Sequence, residues 1–139
     1  MRSKISTVAL AGALAAASIA VSAPAASANT YCSSSGYTGA GSPAERCTSL
    51  SNGILTHWQR STLPTVSLTT TYYKSGGSAV SVRLGYSQSG TTAYSPYFSI
   101  SSGQTVKRTW TRTHDYYCYS SVGILNYSGG NYQTPAAAC

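Results

Sequence analysis

Side chains able to transfer protons are few in this sequence. Its only carboxylates are Glu45 and Asp115, and its only imidazoles are His57 and His114. Hydrolysis of a glycosidic bond usually needs two carboxyl groups on either side of the bond. Glu45 lies in a predicted helix start and Asp115 beside the end of a predicted strand, so we expect no such pair.

Two other catalytic arrangements would use histidine. A serine nucleophile needs a turn that presents it, and no Gly-x-Ser-x-Gly motif occurs. A ribonuclease-like site would use His57 and His114 as acid and base, with Lys107 or Arg108 binding phosphate. It requires the two imidazoles to face each other. We predict that the chain is not an enzyme, and a small cationic antibacterial toxin or ribonuclease remains an alternative.

Metal binding also has little support in the sequence. The four cysteines form no Cys-x-x-Cys pair, and the two histidines lack the short spacing of zinc modules. His114 and Asp115 are neighbours, and neighbours on a strand point to opposite faces. We therefore predict neither a metal nor a cofactor.

Basic and aromatic residues alternate in the segment VKRTWTRT. Arg108, Trp110 and Arg112 share one face of a predicted strand, so guanidinium groups flank an indole that could stack on sugars or anionic polymers. The competing interpretation is that Val106 and Trp110 point into the core and the arginines lie at its rim. Either arrangement would leave positive charge near this strand.

Tyrosine is unusually frequent, with twelve in the chain. The adjacent pairs Tyr72-Tyr73 and Tyr116-Tyr117 place one ring on each side of a strand, so one ring of each pair should face outward. Exposed tyrosines give rigid contact area and are typical of recognition surfaces, although cross-strand pairing explains them equally well. The candidate tyrosine contacts are Tyr37, Tyr73, Tyr117 and Tyr119.

The chain begins with a predicted secretory signal peptide, residues 1–28. Arg2 and Lys4 precede an apolar run that ends in the small-residue triplet Ala26-Ser27-Ala28. Its removal leaves 111 of the 139 residues, enough for one domain and without a second membrane-spanning stretch. Seven of the nine basic residues then stand against two acidic ones, a net charge of +5. That charge favours acidic proteins or anionic envelope polymers as partners, and we expect no nucleic acid.

After the signal peptide we predict a polar, extended N-terminal arm at 29–42 and a β-sandwich domain at 43–139. Ser42, Pro43 and Glu45 resemble a capping box, and Asn52-Gly53 a stop, which together predict a short helix over Pro43 to Ser51. Period-two alternation follows from Gly53 onward and predicts about seven strands. The strands around Val66 to Tyr72 and Val80 to Tyr86 should form a hairpin.

The four cysteines predict two disulfides in an exported chain. A turn at Ser128-Gly129 lies midway between Cys118 and Cys139, so an antiparallel hairpin would place them opposite each other. Cys32 would then pair with Cys47, which ties the arm to the domain.

Cys47, Trp58 and the run Asp115-Tyr116-Tyr117-Cys118 resemble the cysteine, tryptophan and tyrosine-corner spacing of immunoglobulin domains. That resemblance implies an immunoglobulin-like sandwich in general shape, and it implies a different disulfide, from Cys47 to Cys118. The two frameworks remain alternatives at this point.

In layout, with a signal peptide, a short polar arm and a compact domain, the chain resembles the small secreted adaptor subunits of bacterial umbrella toxin particles. The resemblance implies an extracellular, non-enzymatic adaptor that uses an N-terminal extension to join a lectin-like subunit to a large toxin subunit. No motif carries a functional residue across. From the residues we expect a secreted binding module that uses its arm and a tyrosine-rich sheet face, with a carbohydrate or cell-wall binding domain as the alternative.

Overall fold

The computed structural model describes residues 31–139, and the predicted signal peptide 1–28 lies outside them. Nine strands occupy the described residues, joined by short turns and one 3₁₀ turn at His114–Tyr116. The strands are β1 (Glu45–Leu50), β2 (Gly53–Thr62), β3 (Thr65–Lys74), β4 (Val80–Gln88), β5 (Thr91–Tyr94), β6 (Phe98–Ile100), β7 (Thr105–Thr113), β8 (Ser121–Tyr127) and β9 (Gly130–Gln133).

These strands form two antiparallel sheets that face each other. The first has the order β1-β2-β3-β7, and the second has the order β5-β4-β8-β9, with β6 also paired to β4. The prediction of a mostly β, sandwich-like fold is confirmed. No helix among residues 31–139 combines the length and the apolar character that a membrane span would need.

Alternation along the strands decides which side chains enter the core. Val66, Leu68 and Tyr72 on β3, with Leu84 and Tyr86 on β4, are buried as their period-two spacing predicts. Buried side chains from both sheets then meet in two adjoining clusters. Burial of this apolar area is the main favourable term for the fold.

The predicted helix over Pro43 to Ser51 is wrong, because these residues form a turn and strand β1. The Ser42 carbonyl accepts the Glu45 N–H at 3.1 Å, and the Ser42 hydroxyl accepts the Ala44 N–H at 3.2 Å, so the apparent cap closes a turn. β1 then pairs with β2 over its whole length through the Ser51-Asn52 turn. A nine-residue helix is marginal alone, whereas six paired residues add an edge to a packed sheet.

The predicted hairpin between β3 and β4 is also wrong, although both strands exist. β3 pairs with β2 and β7, whereas β4 pairs with β5, β6 and β8, so the segment Ser75–Ala79 crosses from one sheet to the other. Alternation reports which residues face inward and carries no information about the neighbouring strand.

Both predicted disulfides, Cys32–Cys47 and Cys118–Cys139, are confirmed. The Cys47 to Cys118 bond implied by the immunoglobulin resemblance is not formed. The pairs Ile124↔Gln133 and Tyr127↔Gly130 have the predicted hairpin register, but Ser121 pairs with Ala137, one residue out of step. Cys118 therefore lies in the loop before β8, with a positive φ of 72°. Two disulfides indicate an oxidising environment such as the extracellular space.

Candidate functional site

His57 is fully buried and connects the two sheets. Its Nδ1 lies 2.9 Å from the Thr70 hydroxyl, and its Nε2 lies 2.9 Å from the Ser121 hydroxyl. The Thr70 hydroxyl donates to the Gly85 carbonyl at 2.9 Å, so His57 Nδ1 carries the proton and Nε2 accepts from Ser121. Burial lowers the pKa of His57 to about 4. This imidazole is a neutral structural group without access to a substrate.

The other titratable groups are separated from His57. His114 lies 3.1 Å from the Ser61 hydroxyl and stacks on Tyr117, in a different hydrogen-bond network. Ser61 and His57 are four residues apart on β2, about 13 Å along the strand. The two imidazoles therefore do not meet as the ribonuclease-like arrangement requires.

The two carboxylates lie at opposite edges of the first sheet. Glu45 begins β1, whereas Asp115 follows β7, and three strand spacings separate these edges by about 14 Å. Within residues 31–139, no group of three or more His, Cys, Asp or Glu side chains could hold a metal ion. The arrangement offers no pair of carboxyl groups for acid–base chemistry.

Arg108, Trp110 and Arg112 lie on the inner face of the edge strand β7, where they reach across to the second sheet. The Trp110 ring is 5.3 Å from the Tyr86 ring and packs against both core clusters. The Arg108 guanidinium lies 5.1 Å from the Phe98 ring centroid. This placement matches the alternative in which Trp110 enters the core and the arginines form its rim. Their role in binding stays a prediction.

Three of the seven candidate contact residues come together at one end of the sandwich. The Arg112 guanidinium lies 3.6 Å from the centroid of the Tyr116 ring, and that ring is 6.0 Å from the Tyr119 ring. Tyr117 is half-buried against His114, whereas the Tyr119 side chain is 57% exposed. We call Arg112, Tyr116, Tyr117 and Tyr119 the tyrosine end.

The other two candidate tyrosines are remote from the tyrosine end. Tyr73 lies on the outer face of β3, near the far end of the same sheet. Tyr37 lies in the arm under the Arg46 guanidinium, 4.1 Å from its ring centroid. The structure therefore places Arg112, Tyr117 and Tyr119 at one end of the sandwich and leaves Tyr37 and Tyr73 separate.

Buried amides hold the backbone of the tyrosine end. Gln88 donates to the carbonyls of Tyr116 and Tyr119, both at 3.0 Å, and Arg112 donates to the Gln88 backbone carbonyl at 2.9 Å. Gln59 donates to Ser121 Oγ at 2.8 Å and to the Tyr119 carbonyl at 3.0 Å.

The amide orientation of Gln59 follows from the tautomer of His57. Because Ser121 donates its only hydroxyl proton to His57, its oxygen must accept from the Gln59 nitrogen, and the Gln59 oxygen then accepts the Cys118 N–H at 2.8 Å. A continuous buried network therefore runs from His57 to the loop that presents the tyrosines.

The described part of the arm is folded onto the edge of β1. Cys47 donates its N–H to the Gly36 carbonyl at 3.0 Å, and Arg46 donates to the carbonyls of Gly36 and Ser35, both at 2.9 Å. Gly36 has a φ of 81°, and Pro135 occupies the space that a β-carbon would need there. Tyr31, just before Cys32, is 59% exposed.

Trp58 is a surface residue that sequence reasoning placed only in the immunoglobulin comparison. Its side chain is 41% exposed on the outer face of the first sheet, with the Arg60 guanidinium 5.3 Å from its ring centroid. Neighbouring residues on a strand face opposite sides, so a buried His57 would have predicted that Trp58 faces solvent. Around it lies a set of hydroxyl side chains that we call the hydroxyl face: Thr56, Thr62, Thr65, Ser67, Thr69, Thr71, Thr105, Thr109, Thr111 and Thr113.

The chain matches no protein family model, no curated protein and no solved structure with which it was compared.

Proposed function

We propose that this chain is a secreted, non-enzymatic binding module that docks a partner protein through the tyrosine end. The observation that carries the proposal is the convergence of Arg112 on β7 with Tyr116 and Tyr119 on the following loop, which buried amides and the Cys118–Cys139 disulfide hold. Tyrosine and arginine are favoured in binding hot spots, and a loop that is already ordered loses little entropy on binding.

The arm has a narrower role in this proposal. Residues 32–38 already use backbone groups for contacts with one another and with β1, so an added strand there would have to displace them. Tyr31 and the residues before it are the part that we assign to a partner. By the layout resemblance, the partners would be a large secreted toxin subunit and a lectin-like subunit, in an assembly that acts against other bacteria.

The first experiment is native size-exclusion chromatography of culture fluid from the producing cells, with mass spectrometry of proteins that co-elute. We expect a mature chain beginning at Asn29 in a stoichiometric complex. Elution as a monomer, without a partner at any protein concentration tested, would overturn the docking proposal. Killing of bacteria or cleavage of RNA by the isolated protein, lost in His114→Ala, would favour the toxin alternative.

The variant Tyr119→Ser tests the surface once a partner has been identified. We expect the dissociation constant to rise about tenfold or more, because an exposed aromatic ring at the centre of a contact is often a hot spot. Tyr97→Ser is the matched control, since Tyr97 is 55% exposed and lies beside Arg83 on the second sheet. Equal losses in the two variants would show that the tyrosine end has no special role.

A carbohydrate or cell-wall binding function is the second candidate, and Trp58 on the hydroxyl face favours it. An exposed indole can stack on a sugar ring, while Arg60 and Lys107 on the same face provide attraction to an anionic polymer. Cosedimentation with purified envelope polymer should be lost in Trp58→Ser and retained in Leu63→Ser, whose side chain is 75% exposed in native protein. Retention of binding by Trp58→Ser would exclude the indole as the contact.

A further inference from the structure

At the opposite end of the strands from the tyrosine end, the two sheets separate around a cleft of about 400 Å³. Its walls include Leu50, Val80 and Leu125, and its polar groups come from Tyr72, Lys74, Tyr127 and Tyr132. A cavity of this volume with apolar walls and a few convergent polar groups is typical of small-molecule sites. We call it the lysine cleft.

Lys74 is the unusual member of the cleft. It is the last residue of β3, it points inward with Val66, Leu68 and Tyr72, and its side chain is only 2% exposed. The loop after β3 contacts its side chain, since the Lys74 ammonium donates to the backbone carbonyl of Gly76. A lysine this deeply buried is normally paired with an anion.

No acidic side chain lines the lysine cleft. The sequence has only Glu45 and Asp115, and neither lines the cleft. The ammonium group has three N–H donors, and its one hydrogen bond in the described structure goes to the backbone carbonyl of Gly76. The cleft thus contains a desolvated positive charge with donor capacity to spare.

The Tyr127–Tyr132 pair provides one further donor beside the same volume, because its two hydroxyl protons serve only one mutual hydrogen bond. The Tyr127 and Tyr132 hydroxyls are 3.2 Å apart, and the Tyr72 hydroxyl donates to the Asn52 carbonyl at 3.3 Å. Burial raises the pKa of Tyr72, and the hydrogen bond with Tyr132 raises the pKa of Tyr127, so both phenols stay protonated. A protonated phenol can donate to an anion, and an ionised one cannot.

We propose that the lysine cleft binds a small organic carboxylate, with its single negative charge on Lys74 and an apolar body against Leu50, Val80 and Leu125. One buried cation matches a monoanion better than a doubly charged phosphate, and the cleft has no arginine for bidentate phosphate binding. The apolar walls require a hydrocarbon part of the ligand to fill the remaining volume.

The test is an NMR titration of ¹⁵N-labelled mature protein with 3-phenylpropanoate, using its neutral amide, 3-phenylpropanamide, as the matched probe. We expect saturable shifts in the amides of residues 49–52, 74–80 and 127–132, with a dissociation constant on the order of 1 mM. The amide and inorganic phosphate should each bind at least about tenfold more weakly. Equal binding of acid and amide, or no saturable shift with the acid, would overturn the proposal.

Two independent variants, Lys74→Met and Ser78→Trp, test whether the acid binds in the lysine cleft. Lys74→Met should remove the preference for the acid over the amide, whereas Lys107→Met, on the outer face of β7, should preserve it. Ser78→Trp places a large side chain at an exposed position that lines the cleft and should reduce binding of both probes. Undiminished acid binding in either Lys74→Met or Ser78→Trp would place the carboxylate elsewhere and contradict the proposal.

Discussion

The two ends of the sandwich handle buried polar groups in opposite ways. At the tyrosine end, Gln59, Gln88 and Arg112 direct their hydrogen bonds to protein groups, and the aromatic rings project from a fixed loop. At the lysine cleft, Lys74 is as buried as the two glutamines but has one carbonyl partner and open volume beside it. A fully partnered network suits a rigid surface for a large partner, whereas a partly partnered cation suits a ligand that completes it.

Removal of Gln59 should have the largest effect on stability. Gln59→Leu keeps the volume but leaves the Cys118 N–H and the Ser121 oxygen without their partner, and we expect unfolding to become easier by about 2 kcal/mol or more. Urea denaturation measures this loss. Gln133→Leu, at an exposed position of β9, is the control and should change stability by less than about 0.5 kcal/mol.

Protonation of His57 should weaken the same network as the pH falls. Its folded pKa is about 4 against about 6.5 in the unfolded chain, so the unfolded state binds more protons between these values. The stabilisation is complete above pH 6.5 and decreases toward pH 4, with a loss of about 2 kcal/mol between pH 7.5 and pH 5. Denaturation midpoints across this range provide the measurement. In His57→Gln, stability should depend less on pH, and an unchanged profile would show that His57 does not control it.

Replacement of Lys74 should have the smallest effect on stability. It therefore tests most directly whether the buried polar groups of the two ends differ in their contribution to stability. Lys74→Met removes a buried charge and keeps the length of the side chain, so we expect the free energy of unfolding to stay within about 1 kcal/mol of its original value or to rise. Urea denaturation beside Gln59→Leu tests this. A loss as large as that of Gln59→Leu would mean that Lys74 is structural and would remove the contrast.

Part of the candidate site could be predicted from the sequence. The large number of tyrosines predicted a recognition surface, and Tyr119 is exposed, as a contact residue must be. The contact between Arg112 and Tyr116 could not be predicted from the sequence, because it depends on the 3₁₀ turn after β7 and on Gln88 from the other sheet. Lys74 continues the inward alternation of Val66 to Tyr72, but its hydrogen bond to Gly76 depends on the path of the chain after β3.

By itself the sequence determined the β character, the inward set on β3 and β4, and the hairpin register that places Cys118 near Cys139. These features follow from local physics, since alternation with period two and the position of a turn involve residues close together in the chain. Only the tertiary structure decided that Glu45–Leu50 is a strand, that β3 and β4 lie in different sheets, and that the lysine cleft exists. Those outcomes depend on which distant strands bury one another's apolar faces, and the free energy of that burial outweighs local preferences of the chain.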